Sequence, residues 1–260
     1  MDHSRYLDCL ATDFHRLRAA STTNLGAPVP TCPGWSMADL VQHVGYVFAH
    51  KTTAMREGAE PEQWPPPGLA GEAPLPLLDR TYSELWAELV SRRPEERTGT
   101  WYRPDQSVGF WGRRMALETV VHRIDADLAA GLPVAPVPDD LALDGVDELL
   151  RVFLAFSVAE WGGYFTDVLG GSPGHTYELR SDERAWRVTT GPGRAEVQDS
   201  AAGAADADVT VTGSPEALLR WVWGRGATAD GGGATVDGAT VDGAPEAVEE
   251  LRRCITVATQ

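Results

Sequence analysis

The hydrophobic period of this chain changes once, near residue 175, and that change decides what each part can fold into. Before it, apolar residues recur every three or four positions. Tyr6, Leu7, Leu10, Phe14 and Leu17 mark a first amphipathic helix over 4–20. Leu40, Val44, Val47 and Phe48 mark a second, from just after Ser36 to about Gly58. Leu75, Leu78, Tyr82, Leu85 and Leu89 mark a third, ending near Pro94, and a fourth spans 109–130 with Gly131 as its stop signal. Four helices joined by loops over 1–131 predict an antiparallel bundle. A proline-rich linker (133–140) and a long helix over about 140–169 follow. From 175 the period is two, with strands predicted at 177–180, 185–190, 194–197 and 207–212. A helix opening on Ser214-Pro215, a short strand at 239–241 and a last helix over 245–258 complete an α+β region. The expected domains are therefore 1–170, with a core of 1–131, and a smaller one over 171–260.

Composition narrows the function. The 260 residues carry a net charge of −16, which disfavours nucleic acid and anionic membrane surfaces as partners. No window reaches the roughly 18 apolar residues of a membrane span. Cys9, Cys32 and Cys254 are widely spaced, without a CxxC pair or a disulfide framework. With no apolar leader at the first residues, a cytoplasmic protein is expected, as a monomer or small homo-oligomer. Lys51 is the sole lysine among many arginines, a bias of high-GC genomes. Residues 59–74 form a proline-rich loop. The hexapeptide Ala-Thr-Val-Asp-Gly-Ala occurs at 234–239 and again at 239–244, and the Gly-rich stretch 227–243 reads as a mobile loop expansion.

Chemistry concentrates on the fourth helix. Glu118 and His122 are four apart and share a face. A carboxylate in a buried helix needs a partner. A divalent metal shared with His122 is one; Arg113 or Arg114 is another. Helix two carries His43 beside its apolar stripe, and His50 seven residues on near the same face. One histidine from that helix with Glu118 and His122 makes two nitrogens and one carboxylate oxygen, a set that leaves a coordination position open. Asp125, one turn after His122, is placed to support a ligand. The remaining polar and aromatic residues have plainer expected roles. Ser36 and Asp39 read as a capping box with Trp35 stapled onto Leu40, Cys32 as a small packed residue, Arg123 as a surface pair, and Trp221 and Trp223 as core of the second domain.

Two segments, Thr31-Cys-Pro-Gly-Trp-Ser-Met-Ala-Asp-Leu-Val-Gln-His43 and Met115-Ala-Leu-Glu-Thr-Val-Val-His-Arg-Ile-Asp-Ala126, resemble the signatures of the actinobacterial mycothiol-dependent maleylpyruvate isomerase family. That family belongs to the DinB-like metal-binding bundles. The stretch 206–225, ending Trp-Val-Trp-Gly-Arg225, resembles its sterol-carrier-like C-terminal domain. The resemblance implies a DinB-like four-helix bundle with a smaller α+β domain. It implies a divalent metal, preferably zinc, on His43, Glu118 and His122, with mycothiol as a thiol cosubstrate at the open position and Arg225 as a catalytic residue. The chain departs from the family at Leu117, where a histidine is usual, and at Ile124, where tryptophan is. The implied activity is that of an isomerase or S-transferase acting on a small electrophile. A non-catalytic metal-containing binding module and a zinc-water hydrolase are the rival readings.

Overall fold

The computed structural model describes residues 1–200, 207–226 and 234–259. The chain divides into two compact units, Met1–Ala135 and Pro136–Gln260.

The first unit is the expected helical bundle. Helix α1 (His3–Ser21) is capped by Asp2, whose carboxylate accepts from the Arg5 amide. Helix α2 (Met37–Glu57) opens on the Ser36/Asp39 capping box and ends at Gly58, whose φ of 68° is the left-handed conformation a glycine adopts without strain. Helices α3 (Pro74–Ser91) and α4 (Val108–Ala129) follow, the latter capped by the Ser107 hydroxyl. Helix α1 packs on α4 and α2 on α3. A Cβ at Gly45 of α2 would lie 2.9 Å from Leu77 Cγ of α3, so glycine permits that close approach.

Helix α4 is buried on nearly every face. This corrects the expectation for Arg123. The sequence places it among polar neighbours, yet it is wholly buried, because α4 has no broad outward side. Its guanidinium donates to Asp13 Oδ1 of α1 (2.9 Å), to Asp127 Oδ2 (3.4 Å) and to the Ala135 carbonyl (2.6 Å).

The second unit begins inside the proline-rich linker. The expected boundary near 170 is corrected accordingly: residues 139–169 group with the strands, since they contact the sheet and the two helices that follow in sequence. Nor is that segment one helix. It comprises α5 (Asp139–Glu148), a π-helical stretch (Leu149–Ala155), α6 (Phe156–Trp161), a 3-10 turn (Gly162–Phe165) and α7 (Thr166–Leu169). The break comes at Gly162-Gly163, two poor helix formers in succession.

Strands β1 (Thr176–Arg180), β2 (Ala185–Gly191), β3 (Arg194–Ser200), β4 (Val209–Gly213), β5 (Ala234–Val236) and β6 (Ala239–Gly243) form one sheet in the order β3-β2-β1-β4-β6-β5. Among the described strands, only β1 and β4 pair in parallel. Helix α8 (Pro215–Val222) follows β4, and α9 (Pro245–Ala258) closes the chain. Trp221 and Trp223 are buried, as expected. The short strand expected at 239–241 is the start of β6, and the rest of the tandem hexapeptide is corrected from loop to hairpin. Its two Ala-Thr-Val copies are β5 and the start of β6, and the shared Asp237-Gly238 makes the turn with φ of 49° and 83°. Two positive φ values at Asp-Gly are the signature of a type I′ hairpin turn, which matches strand twist. Residues 227–233 of the glycine-rich stretch lie outside the described residues. No described helix is long and apolar enough to cross a membrane.

Candidate metal centre

Helices α2 and α4 of the bundle bring His43, Glu118 and His122 together. One ligand atom from each lies within 4.8 Å of the others. Glu118 Oε1 is central: it is 3.2 Å from His122 Nε2 and 3.5 Å from His43 Nε2. The helical spacing of Glu118 and His122 sets the first distance, and the packing of α2 across α4 sets the second.

The surroundings orient each donor. His122 Nδ1–H donates to Asp125 Oδ2 (2.8 Å), which orients the ring and turns Nε2 toward Glu118. Asp125 is completely buried; its other oxygen accepts from the Thr31 hydroxyl at 2.5 Å, and Cys32 Sγ lies 3.9 Å from Oδ2. Thr31 and Cys32 come from the turn before α2, so that turn is tied to the metal-facing helix. Arg114 pairs with Glu118 Oε2 and leaves Oε1 facing the imidazoles. Of the sequence alternatives for the Glu118 partner, the arginine is Arg114, on Oε2, while Oε1 faces the two imidazoles.

Electrostatics follow from this crowding. Burial opposes charge on Glu118, yet His122 and Arg114 beside it hold its carboxyl well below the usual range. Burial likewise opposes a charged His122, but the Glu118 and Asp125 carboxylates overcome it and push its pKa up to about 9. The set therefore attracts positive charge at neutral pH: a proton, or a divalent cation that displaces it. Two imidazole nitrogens and one carboxylate oxygen are the donor chemistry of an open zinc site. Access runs along the His43 side, whose side chain is 28% exposed against 15% for Glu118 and 9% for His122.

A cavity of about 350 Å³ adjoins His43, lined by Gly34, Trp35, Asp39, Gln42, Tyr46, Trp64 and Pro65. The Trp35 and His43 ring centroids are 5.0 Å apart, so Trp35 belongs to the site wall and not solely to the helix start. The sequence signal for this wall is the run of positions 39, 42, 43 and 46 on one face of α2. Trp64 gives no such signal, because it sits in the irregular loop.

His50 is not part of the cluster. It is buried, its Nε2–H donates to the Pro61 carbonyl (3.0 Å), and burial and the neighbouring Lys51 lower its pKa. It anchors the loop that carries Trp64. Arg225 lies in the second unit just after α8, where its amide donates to the Arg220 carbonyl (2.7 Å) and its guanidinium to the Trp223 carbonyl (2.6 Å).

Two family profiles match the sequence. The mycothiol maleylpyruvate isomerase N-terminal domain covers residues 7–127, and the corresponding C-terminal domain covers 140–249. A crystal structure of the mycothiol-dependent maleylpyruvate isomerase shares the fold, with a TM-score of 0.58 and 13% identity over 93% of each chain. A histidine-to-alanine mutant of that enzyme matches with a TM-score of 0.57 at the same identity and coverage. A search of the curated proteins finds no match.

Proposed function

The chain belongs to the mycothiol maleylpyruvate isomerase family, and from that premise we propose that it is a metal-dependent enzyme joining a low-molecular-weight thiol, mycothiol, to a small electrophile. The observation that carries the reading is the convergence of His43, Glu118 and His122 within 4.8 Å beside an accessible cavity. Three protein donors leave room for a thiol. A divalent metal there, preferably zinc, lowers the pKa of a coordinated thiol, so that the sulfur is a thiolate at neutral pH.

The protein's own residues divide the work. Asp125 holds the proton of His122 on Nδ1 and so keeps Nε2 available as a donor. Arg114 engages Glu118 Oε2 and presents Oε1. Trp35 flanks His43 at the sulfur's approach. Arg225 is proposed to pair with a carboxylate of the electrophile through its planar guanidinium. Addition of the thiolate to an activated double bond leaves a single bond that rotates; expelling the same thiolate returns the geometric isomer. Protonating the adduct carbon instead gives the S-conjugate. The ligand set is common to both outcomes, which makes isomerase and S-transferase two fates of one addition.

The test is metal analysis and thiol calorimetry on the intact protein. About one divalent metal per chain is expected, with mycothiol binding that is abolished by chelation. A metal-loaded protein indifferent to thiols but active on esters or amides would transfer the site to hydrolysis by metal-activated water.

A further inference from the structure

The cavity beside His43 has a lining that selects a chemistry. Three aromatic rings border it: Trp35, Tyr46 and Trp64, the last two edge to face at 6.4 Å and 89°. Trp64 is half exposed, and its ring is also 5.9 Å from His43. Two polar groups stand among the rings. The Gln42 amide makes no hydrogen bond to another described residue, and Asp39 Oδ2 is occupied by the Ser36 amide and hydroxyl while Oδ1 is not.

No arginine or lysine lies among the described lining residues, and Asp39 adds negative charge. The lining itself thus offers a carboxylate no cationic side chain. An ammonium ligand is disfavoured by the divalent cation expected at His43, one side chain away. Flat aromatic faces with a neutral amide and a free carboxylate oxygen suit a saturated ring bearing hydroxyls. Its C–H faces lie on the aromatic rings, and its hydroxyls donate to Asp39 Oδ1 and exchange hydrogen bonds with Gln42.

We propose that this cleft binds the polyhydroxylated ring portion of the thiol cosubstrate, with Trp64, Tyr46 and Gln42 as its specificity-determining residues. The inference rests on the thiol reading above. In mycothiol the acyl-cysteine carrying the sulfur is joined to an amino sugar and a cyclitol, so sulfur at the three-donor set and rings in the adjoining cleft use one molecule for both sites.

The experiment is calorimetry on zinc-loaded full-length protein with three probes: mycothiol, N-acetylcysteine, which has the sulfur and no rings, and N-acetylglucosaminyl inositol, which has the rings and neither sulfur nor an ammonium group. The wild type is expected to bind mycothiol more tightly than N-acetylcysteine and to bind the sulfur-free fragment measurably. Trp64→Ala is expected to weaken mycothiol and the fragment roughly tenfold while leaving N-acetylcysteine unchanged. Gln42→Ala acts in the same direction, and unchanged zinc stoichiometry shows that each variant folds. If both thiols bind equally and Trp64→Ala alters neither, the ring subsite is overturned while thiol binding stands. If the fragment binds through Trp64 but no thiol binds, the subsite stands and the thiol chemistry falls. If none of the three binds, both are overturned.

Discussion

At the scale of single residues, the proposed metal site sets a proton and a metal in competition for His122. His122 is raised from 6.5 to about 9 by Glu118 and Asp125. Without metal, its charged form stabilises the fold fully below about pH 6.5, and that contribution is lost as pH rises through 9. Thermal unfolding of the metal-free protein should therefore show Tm falling across that window. A metal needs the neutral imidazole, so its binding releases a proton below pH 9. Zinc affinity should fall about tenfold per pH unit toward acid, with proton release measurable by calorimetry in buffers of different ionisation enthalpy. Asp125→Asn keeps the shape but removes the charge that orients His122. Chelator competition should show zinc affinity lowered by roughly 10- to 100-fold. The Glu118/His122 pair was legible from helical spacing alone. The Arg114 contact to the far oxygen was not, because spacing cannot tell which carboxylate oxygen a neighbour takes.

At the scale of elements, helix positions were legible because caps and apolar periodicity agree: Ser36 with Asp39 starts α2, and Gly58 ends it. Arg123 was misread for a physical reason. Periodicity reports one apolar face, and α4 is enclosed on nearly all of them, so its charges are paired inside. Removing Asp13 leaves the buried guanidinium with Asp127 Oδ2 at 3.4 Å as its carboxylate partner. Asp13→Ala should cost about 1–3 kcal/mol in denaturant unfolding. The hexapeptide repeat was misread because slippage in sequence was equated with loop structure. Alternating Ala-Thr-Val flanking Asp-Gly is a strand–turn–strand pattern. Gly238 has a φ of 83°. Gly238→Ala should destabilise the second unit by about 1–2 kcal/mol, seen as a lower urea midpoint.

At the scale of the whole molecule, the two-part organisation follows from the switch of period near residue 175, but the boundary does not. Residues 139–169 are helical and belong with the sheet, and no local pattern says which partner a helix's apolar face will choose. The proposed function connects the three-donor set to thiol chemistry. The most direct test of that connection is the absorption spectrum of the cobalt-substituted protein titrated with mycothiol, since a thiolate on cobalt produces a near-ultraviolet charge-transfer band. The account predicts a band that saturates with thiol in the wild type and is absent in His122→Ala. Cobalt bound through His43, Glu118 and His122 with no such band at saturating thiol would contradict it.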